Sequence, residues 1–273
     1  MRRIIVLNQK GGVGKTTTVA NLGACLAELG KRVLMVDVDP QANLSIHYGV
    51  ELQRGEPSLY SFIRGDHEAR EVIRDTPVEG LSLIPASIDL AGVSVELSER
   101  PDRLRVLREA LARLPDGFDY VLMDSPPSLG LLTVNAMSAA REVFIPLQTE
   151  FFALQGVSKL LRTVALVRTH VNRELYITGV IACMFDSRTC LAQEILDDIR
   201  GHFGPRVFRT VIRKNIRLAE APGFGVPITH YDSQCHGADD YRALAGEVLA
   251  MERASAGPLV RERPAALPQT RAG

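Results

Sequence analysis

The run Lys10-Gly11-Gly12-Val13-Gly14-Lys15-Thr16-Thr17 constrains this chain more than any other stretch. An apolar, strand-like run precedes it at residues 3–8. An apolar stripe of Val19, Leu22, Leu26 and Leu29 follows at helical spacing over residues 16–29. Three glycines between a strand and a helix start let backbone N–H groups face an anion where a Cβ would obstruct them. The helix N-terminus adds partial positive charge beneath. Lys15 is placed to reach terminal phosphates, and the Thr16 hydroxyl to ligate a divalent cation. The plain G-x-x-x-x-G-K-[ST] pattern is not met, because Gln9 stands at its first glycine and a second lysine, Lys10, lies inside the loop.

Further apolar runs at 32–37, 81–85, 120–124, 142–146, 176–183 and 206–208 alternate with helical patterns at 102–114, 152–171 and 241–253. That alternation predicts an α/β fold, a three-layer P-loop NTPase arrangement with a mostly parallel central sheet flanked by helices. Gly30 supplies a stop for the first helix. We expect one domain over 1–253 and a disordered proline-, alanine- and arginine-bearing tail over 254–273.

Two runs deliver carboxylates at strand ends, the ligand edge of such a sheet. Val36-Asp37-Val38-Asp39-Pro40 carries two. Val121-Leu122-Met123-Asp124-Ser125-Pro126-Pro127 carries one, and its prolines cannot continue the strand. Asp124 is placed to hold Mg²⁺ opposite Thr16.

The chain has 32 basic and 32 acidic residues, so a nucleic acid or membrane partner would need a local patch. One such run spans 206–217, where Arg206, Arg209, Arg213, Lys214 and Arg217 occur without a carboxylate. Four scattered cysteines with no C-x-x-C pair fit a reduced cytoplasmic protein rather than a disulfide framework or zinc ribbon. No apolar run approaches the ~20 residues of a membrane span. The opening apolar run is too short for a signal-peptide core, and no separate DNA-reading module is expected ahead of the first strand.

The loop's K-G-G-x-G-K-[ST] form resembles that of the ParA/Soj/MinD family of dimeric ATPases, and the resemblance runs over about residues 3–253. It implies that ATP with Mg²⁺ binds at residues 10–17, and that Lys10 crosses a homodimer interface to the partner's phosphates as a trans-acting cation. It makes Asp39 the switch I residue that positions or polarises the attacking water and joins Thr16 and Asp124 at the metal, and leaves Asp37 a supporting metal-sphere or structural carboxylate. Two further segments, Met184-Phe185-Asp186-Ser187-Arg188-Thr189 and Ile212-Arg213-Lys214-Asn215-Ile216-Arg217, resemble Soj-type sequence near the nucleotide base and the DNA face. Met184 and Asn215 are thereby expected at the nucleotide. Arg188, Arg213, Lys214 and Arg217 are expected on duplex DNA, through sequence-independent phosphate contacts. Gly223-Phe224-Gly225-Val226 departs from the family pattern, lacking a lysine expected on that face.

The implied function is a partition or positioning ATPase, nucleoid-associated and released by a ParB-like stimulating protein. A MinD-like membrane-cycling ATPase would need an amphipathic C-terminal helix. The tail offers only Leu259, Val260 and Leu267 among prolines. Other cargo-positioning ATPases and an ATP-dependent biosynthetic ligase share the loop. An iron–sulfur reductase would need a cysteine pair between subunits, for which Cys183 and Cys190 have no further support.

Overall fold

Strand order sets where the glycine loop lies. The structure, a computed structural model, describes residues 1–150 and 153–255. Among these, β1 (Arg2–Val6), β2 (Val33–Asp37), β3 (Arg74–Asp75), β4 (Leu81–Ile84), β5 (Tyr120–Asp124), β6 (Glu142–Gln148), β7 (Tyr176–Phe185) and β8 (Val207–Arg213) form one sheet. The order is β3-β4-β2-β5-β1-β6-β7-β8. All pairings are parallel except the short edge pair of β3 with β4. β1 therefore runs mid-sheet between β5 and β6, and the loop that leaves it rises between their ends.

Both faces of the inner strands are covered, which is why those strands read as unbroken apolar runs. Alternate residues feed two cores. Ile5, Val36, Met123 and Ile145 pack on one side with Ala136, Leu160 and Ile199 from the helices Leu131–Ala139, Val157–His170 and Cys190–Phe203. Ile4, Val6, Met35 and Leu122 pack on the other with α1 (Lys15–Glu28) and the long helix His236–Ser255, through Val19, Leu22, Leu26, Tyr241, Leu244 and Val248.

The helix of α1 stops as expected at Gly30, whose φ is +80°. Leu29 leaves the expected apolar stripe, however, and is 51% exposed past the helix end. The expected helix over 102–114 shrinks to Val106–Leu111, and the helix Leu131–Ala139 was not anticipated. The run at 206–208 extends to Arg213, because Phe208 and Ile212 turn into the core while Arg209 faces out. Arg209 and Thr210 interrupt the apolar run, which disguises the strand in the sequence. The helix expected from 152 begins only at Val157, after turns at 153–156, and the helix expected over 241–253 runs His236–Ser255, taking in the first two residues of the expected tail; the tail beyond 255 lies outside the described residues.

Candidate functional site

Neighbours far along the chain hold the glycine loop in shape. Asn8 donates from Nδ2 to the Pro146 carbonyl at 2.7 Å and accepts the Lys10 N–H at 3.0 Å. Gln148, at the end of β6, donates from Nε2 to the Gly12 carbonyl at 3.0 Å. Gly12 and Gly14 have φ of +72° and +91°, the left-handed region where a side chain is strained. A Cβ on Gly11 or Gly12 would meet no atom within 4 Å, so both glycines front open space where a ligand can approach the backbone. Val13 points inward, 1% exposed, and offers the site only its backbone.

The two lysines part company. Lys15 is buried, and its Nζ reaches across the loop to the Lys10 carbonyl at 3.2 Å. Burial lowers its pKa, against the opposing pull of the Asp124 and Asp39 carboxylates. Lys10 instead turns outward, and its Nζ lies 3.1 Å from the Glu150 carboxylate. Thr17 is the third residue of α1, where its carbonyl accepts from Asn21 at 2.8 Å.

Three carboxylates face the cradle, and they differ. Asp124 is fully buried at the end of β5. Its Oδ2 accepts the Thr16 hydroxyl at 2.6 Å, while its Oδ1 has no hydrogen-bond partner. Asp37 is its register neighbour on β2. Burial raises the pKa of both carboxyls; the Asp37 charge adds to the cost of ionising Asp124, and the Asp39 charge adds to that of both. Asp37 is saturated: it accepts the Asp39 N–H, the Ser45 N–H at 2.9 Å and the Ser45 hydroxyl at 2.7 Å. Ser45 Oγ in turn accepts the Ala86 N–H at 3.0 Å. This network gives Asp37 a structural role. It ties the end of β2 to the short helix α2 (Asn43–His47).

Asp39 is nearly buried, and its Oδ1 accepts the Gln41 N–H at 3.0 Å. The turn that follows contains Ala42 at φ +54°, a strained conformation for a residue with a Cβ. Met184, at the end of β7, has φ +55°. These two left-handed residues flank the site, and no sequence signal announces either.

An all-oxygen set of hydroxyl and carboxylate suits Mg²⁺, which keeps several waters and leans on phosphate oxygens rather than a full protein cage. Thr16 and the unpartnered Asp124 oxygen fit that role. Among the described residues no group of three or more His, Cys, Asp or Glu is arranged to hold a metal alone.

Beside the loop lies a cavity of about 250 Å³, lined in part by Thr149, Glu150, Met184, Asp186, Leu191 and Lys214. Met184 is thus at the site's edge, its sulfur 3.1 Å from Gln148 Nε2. Asn215 is not in that lining; its Oδ1 accepts the Arg217 N–H at 2.9 Å.

The basic segments are less positive than they read. Arg188 is bidentate to Asp186 at 2.9 and 2.7 Å. Arg213 grips the buried Asp240, with a closest approach of 2.6 Å. Arg217 pairs with Glu220 at 2.9 Å and Asp232 at 3.4 Å. Lys214 is exposed and forms no ion pair among the described residues. Carboxylates absent from residues 206–217 are folded in from elsewhere.

A family model described as an AAA domain matches residues 1–177. The chain is 49% identical over 251 residues to the chromosome-partitioning ATPase Soj of Treponema pallidum, spanning 92% of this chain and 98% of that protein. It is 47% identical over 247 residues to the sporulation initiation inhibitor protein Soj of Bacillus subtilis, spanning 90% and 98%. Among solved structures, cobyrinic acid a,c-diamide synthase from Mycobacterium smegmatis, with bound ADP and magnesium, superposes with a TM-score of 0.82 at 37% identity. The match covers 93% of this chain and 96% of that one.

Proposed function

Since this chain belongs to the Soj/ParA family of chromosome-partitioning ATPases, we propose that it binds ATP in the loop 10–17, closes into a homodimer on that ATP, and holds duplex DNA until a ParB-like partner stimulates hydrolysis. The observation that carries this reading is the divergence of the two loop lysines. Lys15 is buried against its own loop, whereas Lys10 is half-exposed and directed away from it. A cation in that outward position is available to the phosphates of a second protomer.

In this reading the backbone N–H groups of residues 11–17 cradle the phosphates, and Lys15 neutralises the terminal ones. Thr16 and Asp124 hold Mg²⁺, which supplies charge neutralisation at the phosphate oxygens. Asp39 orients the attacking water and takes up its proton. Lys10 from the partner adds positive charge as the γ-phosphoryl leaves. Positioning and charge do the chemistry; no protein atom becomes covalently attached.

DNA is held by backbone-phosphate contacts from Lys214 and from Arg188 and Arg217, whose exposed pairs with carboxylates exchange easily for phosphate. Arg213 supports this face by fixing β8 to the helix His236–Ser255 rather than by reaching out. Such a protein acts at the nucleoid in the cytoplasm. No helix among the described residues is long and apolar enough to cross a membrane.

The test is steady-state ATP hydrolysis with and without nonspecific duplex DNA at two salt concentrations, with Lys15→Ala as the blank. DNA binding that needs ATP and weakens steeply with salt is the expected result. Turnover indifferent to DNA but dependent on a small acceptor acid would move the chain to the biosynthetic branch instead.

A further inference from the structure

The opposite edge of the sheet carries a second concave site. A cavity of about 270 Å³ opens at the start of β1, with Arg3, Arg108, Arg141, Asn172 and Glu174 in its wall. The strand β1 separates it from the glycine loop, and five residues of strand span about 17 Å. It is therefore a different site from the nucleotide cradle.

Three guanidinia and one carboxylate line it. Arg141 donates from Nε and Nη2 to a single oxygen, Glu174 Oε2, at 3.2 and 3.0 Å, but both side chains are more than 60% exposed, so the pair is weak and replaceable. Arg108 makes no ion pair and no side-chain hydrogen bond among the described residues. Arg3 is partly buried and touches only the Leu111 carbonyl, at 3.4 Å, too long for a strong bond. Burial and the neighbouring Arg108 and Arg141 charges all pull the Arg3 pKa down.

The plain alternative is that these arginines cap helix ends. Arg3 does so weakly, at the Leu111 carbonyl that ends the helix Val106–Leu111, but the helix Leu131–Ala139 leaves no such role to Arg108 or Arg141, because buried Asn172 already donates to the Met137 and Ala140 carbonyls at 3.0 and 2.6 Å. Asn172 Oδ1 also accepts the Glu174 N–H at 3.2 Å, which stiffens the wall. What remains is a shaped cavity whose side chains carry a formal excess of two positive charges, with the Arg108 guanidinium unpaired among the described residues and the Arg141 guanidinium held only by an exposed, replaceable partner.

We propose that this cavity binds a phosphate dianion, either inorganic phosphate or the terminal phosphate of a small organic monoester. Two charges match the excess, and paired guanidinium N–H groups suit phosphate oxygens. The volume falls just below the ~300 Å³ lower bound of ordinary ligand pockets, which points to a small metabolite. A duplex offers singly charged diesters on a convex rod and meets a surface stripe, not a cavity.

The experiment uses the full chain saturated with Mg-ADP, so that the nucleotide loop is filled. Inorganic phosphate and ribose 5-phosphate are each titrated in by calorimetry. One additional site per chain is expected. The double variant Arg108→Ser, Arg141→Ser should weaken it at least ~10-fold with ADP affinity and melting temperature unchanged, since both side chains are exposed. Affinity should also fall below pH ~6, where the ester becomes a monoanion. Tighter binding of either probe identifies the source and supports the site. Three results would overturn it: no second site at millimolar probe, equal binding by the double variant, or displacement of the probe by a duplex oligonucleotide.

Discussion

The ammonium of Lys10 and the carboxylate of Glu150 lie 3.1 Å apart at the outer rim of the nucleotide loop, both about half in solvent. An exposed pair of this kind contributes between 0 and ~1 kcal/mol. It parks the loop's first lysine without committing it. Lys10→Ala should therefore change stability by less than ~1 kcal/mol and leave ATP affinity of the protomer nearly intact. It should abolish dimerisation with a nonhydrolysable analogue, read by analytical ultracentrifugation. Loss of nucleotide binding instead would place Lys10 in its own cradle.

Asp39→Ala separates binding from hydrolysis. Its carboxylate spends one oxygen on the Gln41 N–H and makes no bond to the loop. ATP should still bind and drive dimer formation, while kcat falls by at least ~10²-fold, the usual worth of a positioned acid–base group. The dimer should then persist on DNA in a filter-binding assay. Failure to bind ATP at all would remove Asp39 from the catalytic role.

Ser45 deserves the parallel test because it satisfies a buried carboxylate. Ser45→Ala removes the 2.7 Å bond to Asp37 and orphans the Ala86 N–H. A buried group left unsatisfied costs about 1–3 kcal/mol. Chemical denaturation should report that loss, and the strained turn at Ala42 should become more susceptible to proteolysis.

The nucleotide loop could be read from sequence because strand, glycines, lysine and helix are contiguous, and Asp124 because an apolar run delivers it. The loop's supports could not. Gln148 and Glu150 lie about 140 residues along the chain from the loop and sit in no recognisable pattern. The same locality misled at residues 206–217. No window that short contains Asp240 or Glu247, the carboxylates that fold over Arg213 and the Arg209 N–H. Composition reports charge along the chain, whereas the surface potential depends on what packs across it.

His47 predicts a pH dependence. Its ring is buried beside Tyr48 and near the Val226 backbone, its Nε2 has no partner, and burial pushes its pKa down to about 4. In the unfolded chain the imidazole titrates near ~6.5. The unfolded state thus takes the proton first. The stabilising contribution is complete above pH ~6.5 and is lost as pH falls toward 4, by roughly 3 kcal/mol in all. Urea midpoints should drop between pH 7 and pH 4.5, and His47→Gln should flatten that drop.

Arg213 and Arg217 are sequence neighbours that should respond in opposite ways. Arg213 clamps Asp240, which is 8% exposed, and the Arg213 N–H donates to the same carboxylate at 2.9 Å. Arg213→Ala leaves Asp240 under-satisfied; discounted for the arginine's own partial exposure, the cost is about 1–2 kcal/mol. Arg217 is half-exposed with partly exposed partners. Arg217→Ala should cost under ~0.5 kcal/mol yet weaken duplex binding at low salt and reduce the salt slope by about one ion. Melting curves and salt-titrated DNA binding on the two variants distinguish them. Equal DNA loss with equal destabilisation would mean that Arg217 also serves the fold.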